Sequence, residues 1–326
     1  RKMADFLGLK HHELTVDSQM VLDLIPRLAD HLDEPFGDSS FIPTFILSRF
    51  ASQHVKVVLG GDGSDELFAG YPTLTAHRIF LVYQKLFPNI FRSKVFPKLA
   101  HFLPASFNNI SFDFKLKRFL DGEGRPLLER HHHWLGSFTD QEKNALFKKE
   151  LHPALGKSFG PTYQHSKNCL AKHDLNQILY NDLKMYLEGD ILFKVDRASM
   201  ANSLEVRVPF LNRRVLDMAM NMPLDLKLNK LTGKYLLKKA MASTLPSEII
   251  NRPKKGFNIP IAHWLAGDLR PLLMDLLSSA RLEAQGLFNS SYIETLIQEH
   301  FSKKRDHRKL LWTLLVFQLW HQKYLE

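Results

Sequence analysis

Apolar positions along the chain recur at helical spacing almost throughout and at strand spacing only near its beginning. The stretch "KHHELTV" (residues 10–16) reads as a short strand, and an amphipathic helix follows from about Asp17 to Asp33. A second strand, "VKVVLGG", ends at two glycines. From about Thr73 strand signals fade. Leucine- and phenylalanine-rich segments with helical spacing take over, broken by "HFLPASFNNIS", "DGEGRP" and "LHPALGKSFGP". The most apolar run, Leu310 to Trp320, is shorter than the ~18 residues of a membrane span and reads as a buried helix.

This order is the end of an αβαβ pattern followed by a mainly helical part. The fold class expected is α/β and helix-rich, with residues 1–72 closing a nucleotide-binding parallel sheet and 73–326 forming the helical region. Two strands do not make a stable parallel sheet, so further strands are expected upstream, and the lack of a starting Met at Arg1 agrees. No repeat, low-complexity tract or long linker divides the chain, which points to one unit with two sub-regions.

The second strand runs into "VVLGGDGSDELFAGY". Gly60, Gly61 and Gly63 allow a tight turn and bring backbone amides near a ligand. Asp62, Asp65 and Glu66 supply hard oxygen ligands of the kind that suit magnesium carrying a nucleotide's phosphates. A turn at the carboxyl end of a strand is also where α/β proteins bind ligands. The alternative is a solvated turn whose acids cap the following helix. Strand, three glycines and clustered acids together favour function.

Three other stretches are less decisive. "DEPFGDSS" (33–40) reads either as a substrate-facing loop or as a helix stop with a cap at Asp38 or Ser39. In "DILFKVDRASMANSLEVRVPFLN" (190–212), Asp196 with Arg197 and Glu205 with Arg207 are expected as ion pairs fixing the interior, or else as pocket lining. Lys254 and Lys255 in "NRPKKGFNIPI" sit on an apparent loop, where a lysine can reach a phosphate but can equally be solvated. The run His131-His132-His133 is not read as a metal site, because adjacent side chains on a helix point in different directions.

Composition narrows the setting. The chain has 326 residues, 44% of them hydrophobic and 24% charged, enough for one large core or two. Its single cysteine, Cys169, excludes an internal disulfide and a cysteine-based zinc site, and fits a reducing, cytoplasmic compartment. The first residues carry no signal-peptide core, and no segment reads as a membrane span. With 44 Lys+Arg against 34 Asp+Glu the net charge is +10, which attracts anions: a nucleotide, nucleic acid or an anionic membrane surface. A basic, non-catalytic nucleic-acid module ranks well below an enzyme, because the cations are dispersed among acids and the most unusual cluster is acidic.

In order, these motifs resemble the synthetase domain of the glutamine-dependent asparagine synthetase family. The resemblance rests on "LGGDGSDELFAGY", "DEPFGDSSFIPTFILS", "KVDRASMANSLEVRVPFLN", "TGKYLLKKA", "RPKKGFNIPIAHWL" and "LLWTLLVFQLW", and spans nearly the whole chain. It implies a parallel sheet like that of the adenine nucleotide alpha-hydrolases, with ATP and Mg²⁺ as cofactors. The reaction implied is adenylation of a carboxylate, foremost the β-carboxylate of aspartate, followed by displacement of AMP by ammonia from a glutaminase domain. Another small carboxylate as acceptor is the nearest rival, since Gly61 stands where many members have Ser.

Carried over by position, Asp65 is the magnesium ligand, Asp62 the acid facing the activated intermediate, and Lys254 the lysine near the phosphates with Lys255 beside it. Gly60, Gly61, Gly63, Ser64 and Glu66 complete the expected nucleotide-binding turn. Glu205 lies in a strongly matching segment and is a catalytic candidate without a specific role. Membrane insertion is not implied, and a homodimer is admitted. The family's Ser-Gly-Gly-x-Asp-Ser pyrophosphate loop and its amino-terminal cysteine have no counterpart here, so the isolated chain is expected to be inactive alone.

Overall fold

The computed structural model describes residues 1–103, 106–107, 111–254, 256–257 and 259–326. The chain forms two compact, interleaved units. The first gathers Arg1–Asp17, Phe41–Thr75 and Asp182–Phe257; the second gathers Ser18–Ser40, Ala76–Asn181 and Asn258–Glu326. Residues 182–257, which follow the helical pattern in sequence, thus pack with the glycine-rich stretch.

In the first unit, strand β1 (Val57–Leu59) pairs in parallel with β2 (Glu205–Arg207), Val57 opposite Glu205 and Leu59 opposite Arg207. The Gly60 amide extends the ladder by donating to the Arg207 carbonyl at 2.8 Å. The helices Phe41–Ser52 and Phe193–Met200 pack against each other, burying Ile42, Ile46 and Ala198 completely or nearly so. The Asn202 amide locks the pair by donating to the Phe45 and Ala198 carbonyls at 3.4 and 2.8 Å.

Two sequence expectations change here. Residues 10–16 form no strand: they lie exposed apart from the half-buried Val16, so their alternation has no partner to bury against. The Glu205–Arg207 pair does form, at 2.7 Å, but its side chains are 54% and 65% exposed and fix no interior. Alternation along β2 explains this, because residues two apart share a face and only Val206 turns inward.

In the second unit the expected amphipathic helix is present as Ser18–Leu24, continued by the 3₁₀ turns of Ile25–His31. Pro26 lacks an amide donor, which suits the start of the tighter helix. These turns pack on the long helix Arg308–Tyr324, whose Leu311, Trp312 and Leu315 are buried. The Tyr324 hydroxyl donates to the Ala29 carbonyl at 3.2 Å and the Trp320 indole to that of Asp33 at 3.0 Å. An aromatic seam of Phe80, Tyr83, Phe96, Phe119 and Trp134 holds the middle helices, with centroids 5.1–6.0 Å apart. Among the described residues no helix is long and apolar enough to cross a membrane.

Candidate functional site

The site grows from the turn that ends β1. Gly63 has φ +81°, a backbone setting that favours glycine, and a Cβ there would lie 2.5 Å from the Leu211 side chain. The chain then winds into the short helix Ser64–Leu67, and the Ser64 hydroxyl donates back to the Gly61 carbonyl at 2.9 Å. Leu67 and Phe68 anchor this helix in a buried cluster with Ala219 and Met222, flanked by Phe210 and Leu211. The three acids therefore hang from a turn fixed at both ends.

Two lysines converge on Asp65. Lys254 donates to its Oδ2 at 2.8 Å. Lys234 Nζ lies 3.0 Å from Oδ1 and donates to the Ser64 hydroxyl oxygen at 2.9 Å. The Lys234–Asp65 contact is an ion pair by distance only; it lacks hydrogen-bond geometry, and Oδ1 is a buried oxygen without a hydrogen-bond partner. Lys234 holds φ at +54°, a strained value for a residue with a side chain, and its amide donates to the Phe68 carbonyl at 2.8 Å. Gly70 makes room: a Cβ there would sit 2.1 Å from Asp65 Oδ1 and 2.2 Å from Lys234 Cε.

Asp62 occupies the turn itself, half-buried. Burial pushes its carboxyl above the ordinary range; Lys194 and Lys254 oppose this, and Asp65 adds to it. Lys194 is itself buried and lies 3.8 Å from Asp190. Glu66 points inward: it is 1% exposed and accepts the Tyr71 hydroxyl at 2.5 Å, with Tyr186 5.5 Å from the Tyr71 ring. Burial raises the Glu66 carboxyl, partly offset by that hydrogen bond, and burial with Glu66 alongside raises the Tyr71 phenol.

The turn thus brings Gly60, Gly61, Asp62, Gly63, Ser64 and Asp65 together with Lys254. Glu205 is not among them: register sets it opposite Val57, at the other end of the strand pair from the turn. Lys255 lies outside the described residues. In the second unit, Asp38 accepts from the Ser40 amide and hydroxyl at 2.9 and 2.6 Å, closing the turn before the Phe41 helix. The histidines of the triple run part company, His131 toward His77 at 3.2 Å and His132 toward Thr162 at 3.4 Å.

Sequence reading passed over Lys234 and Tyr71 as functional groups. Lys234 carried a usable signal in "TGKYLLKKA": a lysine directly after a glycine, ahead of a helix. Tyr71 closes "ELFAGY", but its inward bond to Glu66 depends on burial that spacing does not reveal.

The donor set accommodates a magnesium ion in one mode. No group of three or more His, Cys, Asp or Glu able to cage a metal occurs among the described residues. Magnesium instead takes one or two carboxylates and fills its shell with water and phosphate oxygens. Asp65 Oδ1, which accepts no hydrogen bond although Lys234 lies 3.0 Å away, fits that requirement.

A carboxylate flanked by two ammonium groups, just past the carboxyl end of a parallel strand pair, is the kind of charged turn that α/β proteins present to ligands. The chain belongs to the asparagine synthase family, whose profile matches residues 1–322. It is 30% identical to the glutamine-hydrolysing asparagine synthetase 1 of Bacillus subtilis (strain 168), covering 100% of this chain and 50% of that protein. It is 32% identical to a putative glutamine-hydrolysing asparagine synthetase of Mycobacterium bovis, covering 99% and 48%. The amidase chyE of Penicillium rubens matches at 24% over 93% of this chain and 47% of its own length. The chain spans about half the length of these curated relatives.

Proposed function

We propose that this chain is the synthetase part of an ATP-dependent amidotransferase. In this reading a substrate carboxylate attacks the α-phosphate of ATP, pyrophosphate leaves, and ammonia released from glutamine displaces AMP to form an amide. The acceptor is the β-carboxylate of aspartate and the product asparagine. The observation that carries the reading is the convergence of Lys234 and Lys254 on Asp65 at the end of β1.

Each residue then has a chemical part. Lys254 and Lys234 donate to phosphate oxygens on which negative charge builds, where fixed cations act most strongly. Asp65 would hold magnesium, which when bound neutralises the leaving pyrophosphate. The Gly60–Gly63 turn brings backbone amides against the nucleotide. Asp62, with its carboxyl raised by burial, takes up a proton as ammonia attacks. Glu66 supports the turn from inside through Tyr71 rather than by touching the nucleotide.

The fold reading, a remainder of an adenine nucleotide alpha-hydrolase-like sheet, draws support from the parallel pairing of β1 with β2. It is also supported by β1's apolar side chains: Val57 and Leu59 are 41% and 74% exposed, on a face that parallel sheets ordinarily cover. The proposal carries with it a reducing, cytoplasmic setting and admits a homodimer. The second reading is the same chemistry on another carboxylate; relatives of this chain are not all named for asparagine synthesis, one at 24% identity being named an amidase.

Pyrophosphate exchange into ATP by the full-length gene product, with aspartate beside a panel of carboxylic acids, tests the proposal. Exchange that requires aspartate and collapses in Asp65→Ala and Lys254→Ala is expected. Exchange with a different acid alone would move the enzyme to the second reading, and silence across the panel would overturn the adenylation chemistry.

A further inference from the structure

The second unit carries an apolar surface that its own fold leaves uncovered. On the helix Pro72–Leu86, the side chains of Ile79, Val82 and Leu86 are 46%, 55% and 68% exposed. Past the turn at Pro88, the π-helix Phe91–Val95 continues into the α-helix Phe96–His101. There Phe91, Val95, Leu99 and Phe102 recur every three to four residues, with Leu99 59% and Phe102 84% exposed. A repeat of that spacing makes one stripe on a helix.

The stripe belongs to a well-anchored element. Tyr83, Phe87 and Phe96 pack against one another with centroids 5.1–6.0 Å apart, and Tyr83 reaches Phe119 at 5.5 Å. The helices thus carry an aromatic cluster used in folding and, beside it, the exposed stripe, which meets the cluster through Phe91 against Phe96 at 6.2 Å.

Charge identifies what suits the stripe. Residues 76–118 hold eight Lys or Arg and one acid, Asp113, a net +7 of the chain's +10. Arg92 is engaged by Glu123 and Arg118 by the Gly136 carbonyl. Lys85, Lys94, Lys98 and Lys115 are exposed. A second copy of the chain would bring two such basic faces together, which like-charge repulsion opposes. Nucleic acid would match the charge, but the outward side chains are largely aliphatic and offer few rings for bases to stack on. Exposed aliphatic and phenylalanine side chains bordered by lysines are the pattern of an element lying on an anionic lipid interface, apolar groups in the acyl boundary and lysines at the headgroups.

We propose that the exposed stripe from Ile79 to Leu86 and from Phe91 to Phe102 forms a peripheral docking face for anionic membrane, one that holds the protein at the surface without spanning it. The test is co-sedimentation of the full-length gene product with vesicles of equal parts phosphatidylcholine and phosphatidylglycerol, beside vesicles of phosphatidylcholine alone. Binding to the anionic vesicles that weakens at high salt is expected. Lys94→Gln with Lys98→Gln should lower the partition coefficient about fivefold per lysine. Leu99→Ser with Phe102→Ser should lower it roughly tenfold or more. All four side chains are exposed, so the variants should keep wild-type thermal unfolding by circular dichroism; Lys98→Glu provides a separate charge reversal. Absence of sedimentation with anionic vesicles, or sedimentation indifferent to both variant pairs, overturns the proposal. So does RNA binding that matches vesicle binding and ignores the apolar pair, and so does self-association that the apolar pair abolishes without any vesicle binding.

Discussion

Replacing Lys234 separates what its backbone costs from what its side chain does. The residue sits at φ +54°, where a side chain costs about 1–2 kcal/mol and glycine costs almost nothing. Its ammonium group, 3.0 Å from Asp65 and 2.9 Å from the Ser64 hydroxyl, is only partly buried and contributes about 1 kcal/mol to folding. Lys234→Ala loses the contacts and keeps the strain, so it should be destabilised by roughly that 1 kcal/mol. Lys234→Gly loses the same contacts and releases the strain. It should therefore unfold at a urea concentration near the wild type's and be about 1 kcal/mol more stable than the alanine variant. Activity should not follow stability. Removing one fixed donor from a site of developing charge costs on the order of 10²–10³ in rate, so both variants should lose pyrophosphate exchange to that extent. Equal stability of the two variants would refute the strain argument, and exchange surviving in either would remove Lys234 from the phosphate site.

Four further outcomes follow from the same geometry. Asp65→Asn leaves two ammonium groups without their carboxylate and should abolish exchange while lowering stability by about 1–3 kcal/mol in urea titrations. Gly70→Ala, whose Cβ would lie 2.1 Å from Asp65 Oδ1, should cost about 1–3 kcal/mol and disable exchange; Gly61→Ala, which meets nothing within 4 Å, should fold as the wild type does. Burial raises Glu66 above its unfolded value, so the folded chain holds that proton longer and stability falls as pH rises upward from the ordinary glutamate range; Glu66→Gln should flatten the slope in urea titrations across pH and retain exchange. His77, held down to about 2 by burial, His131 and Arg130, makes stability fall as pH drops below its ordinary 6.5; His77→Gln should shrink that loss in acid unfolding followed by tryptophan fluorescence, with His133, His300 and the lowered carboxyl of Asp140 among the other contributors.

The parts of this molecule that sequence makes legible are those where one local rule decides. The apolar run within Arg308–Tyr324 is found as the expected buried helix, packed against Ile25–His31, Ile261–Ala266, Arg270–Leu276 and Ser290–Phe301. The amphipathic period of residues 17–33 is found too, though expected as one helix; it changes to 3₁₀ turns at Ile25, with Pro26 in the first of them. Failure came where a rule was met locally but unsupported by the rest of the chain. Residues 10–16 alternate like a strand yet have no strand beside them. Strand β2 pairs fully, although its three residues contain a single apolar one and give almost no pattern to read.

The site divides along the same line. Its glycines and acids are contiguous, so the turn could be read as a unit. Its cations arrive from Lys234 and Lys254, about 170 and 189 residues further on, and no spacing rule links them to Asp65. What joins them is tertiary: an αL lysine held by the Phe68 carbonyl, and a glycine at 70 whose missing Cβ is the space the pair occupies. The residue type at Gly70 was visible, but its reason was not, because one of the side chains that forbid a Cβ there, Lys234, comes from a distant part of the chain. The same logic explains Glu66 and Glu205, both acids in strong motifs. Burial turns Glu66 toward Tyr71, and strand register carries Glu205 to the far end of the pair, so a motif's composition alone does not say which acids face the reaction.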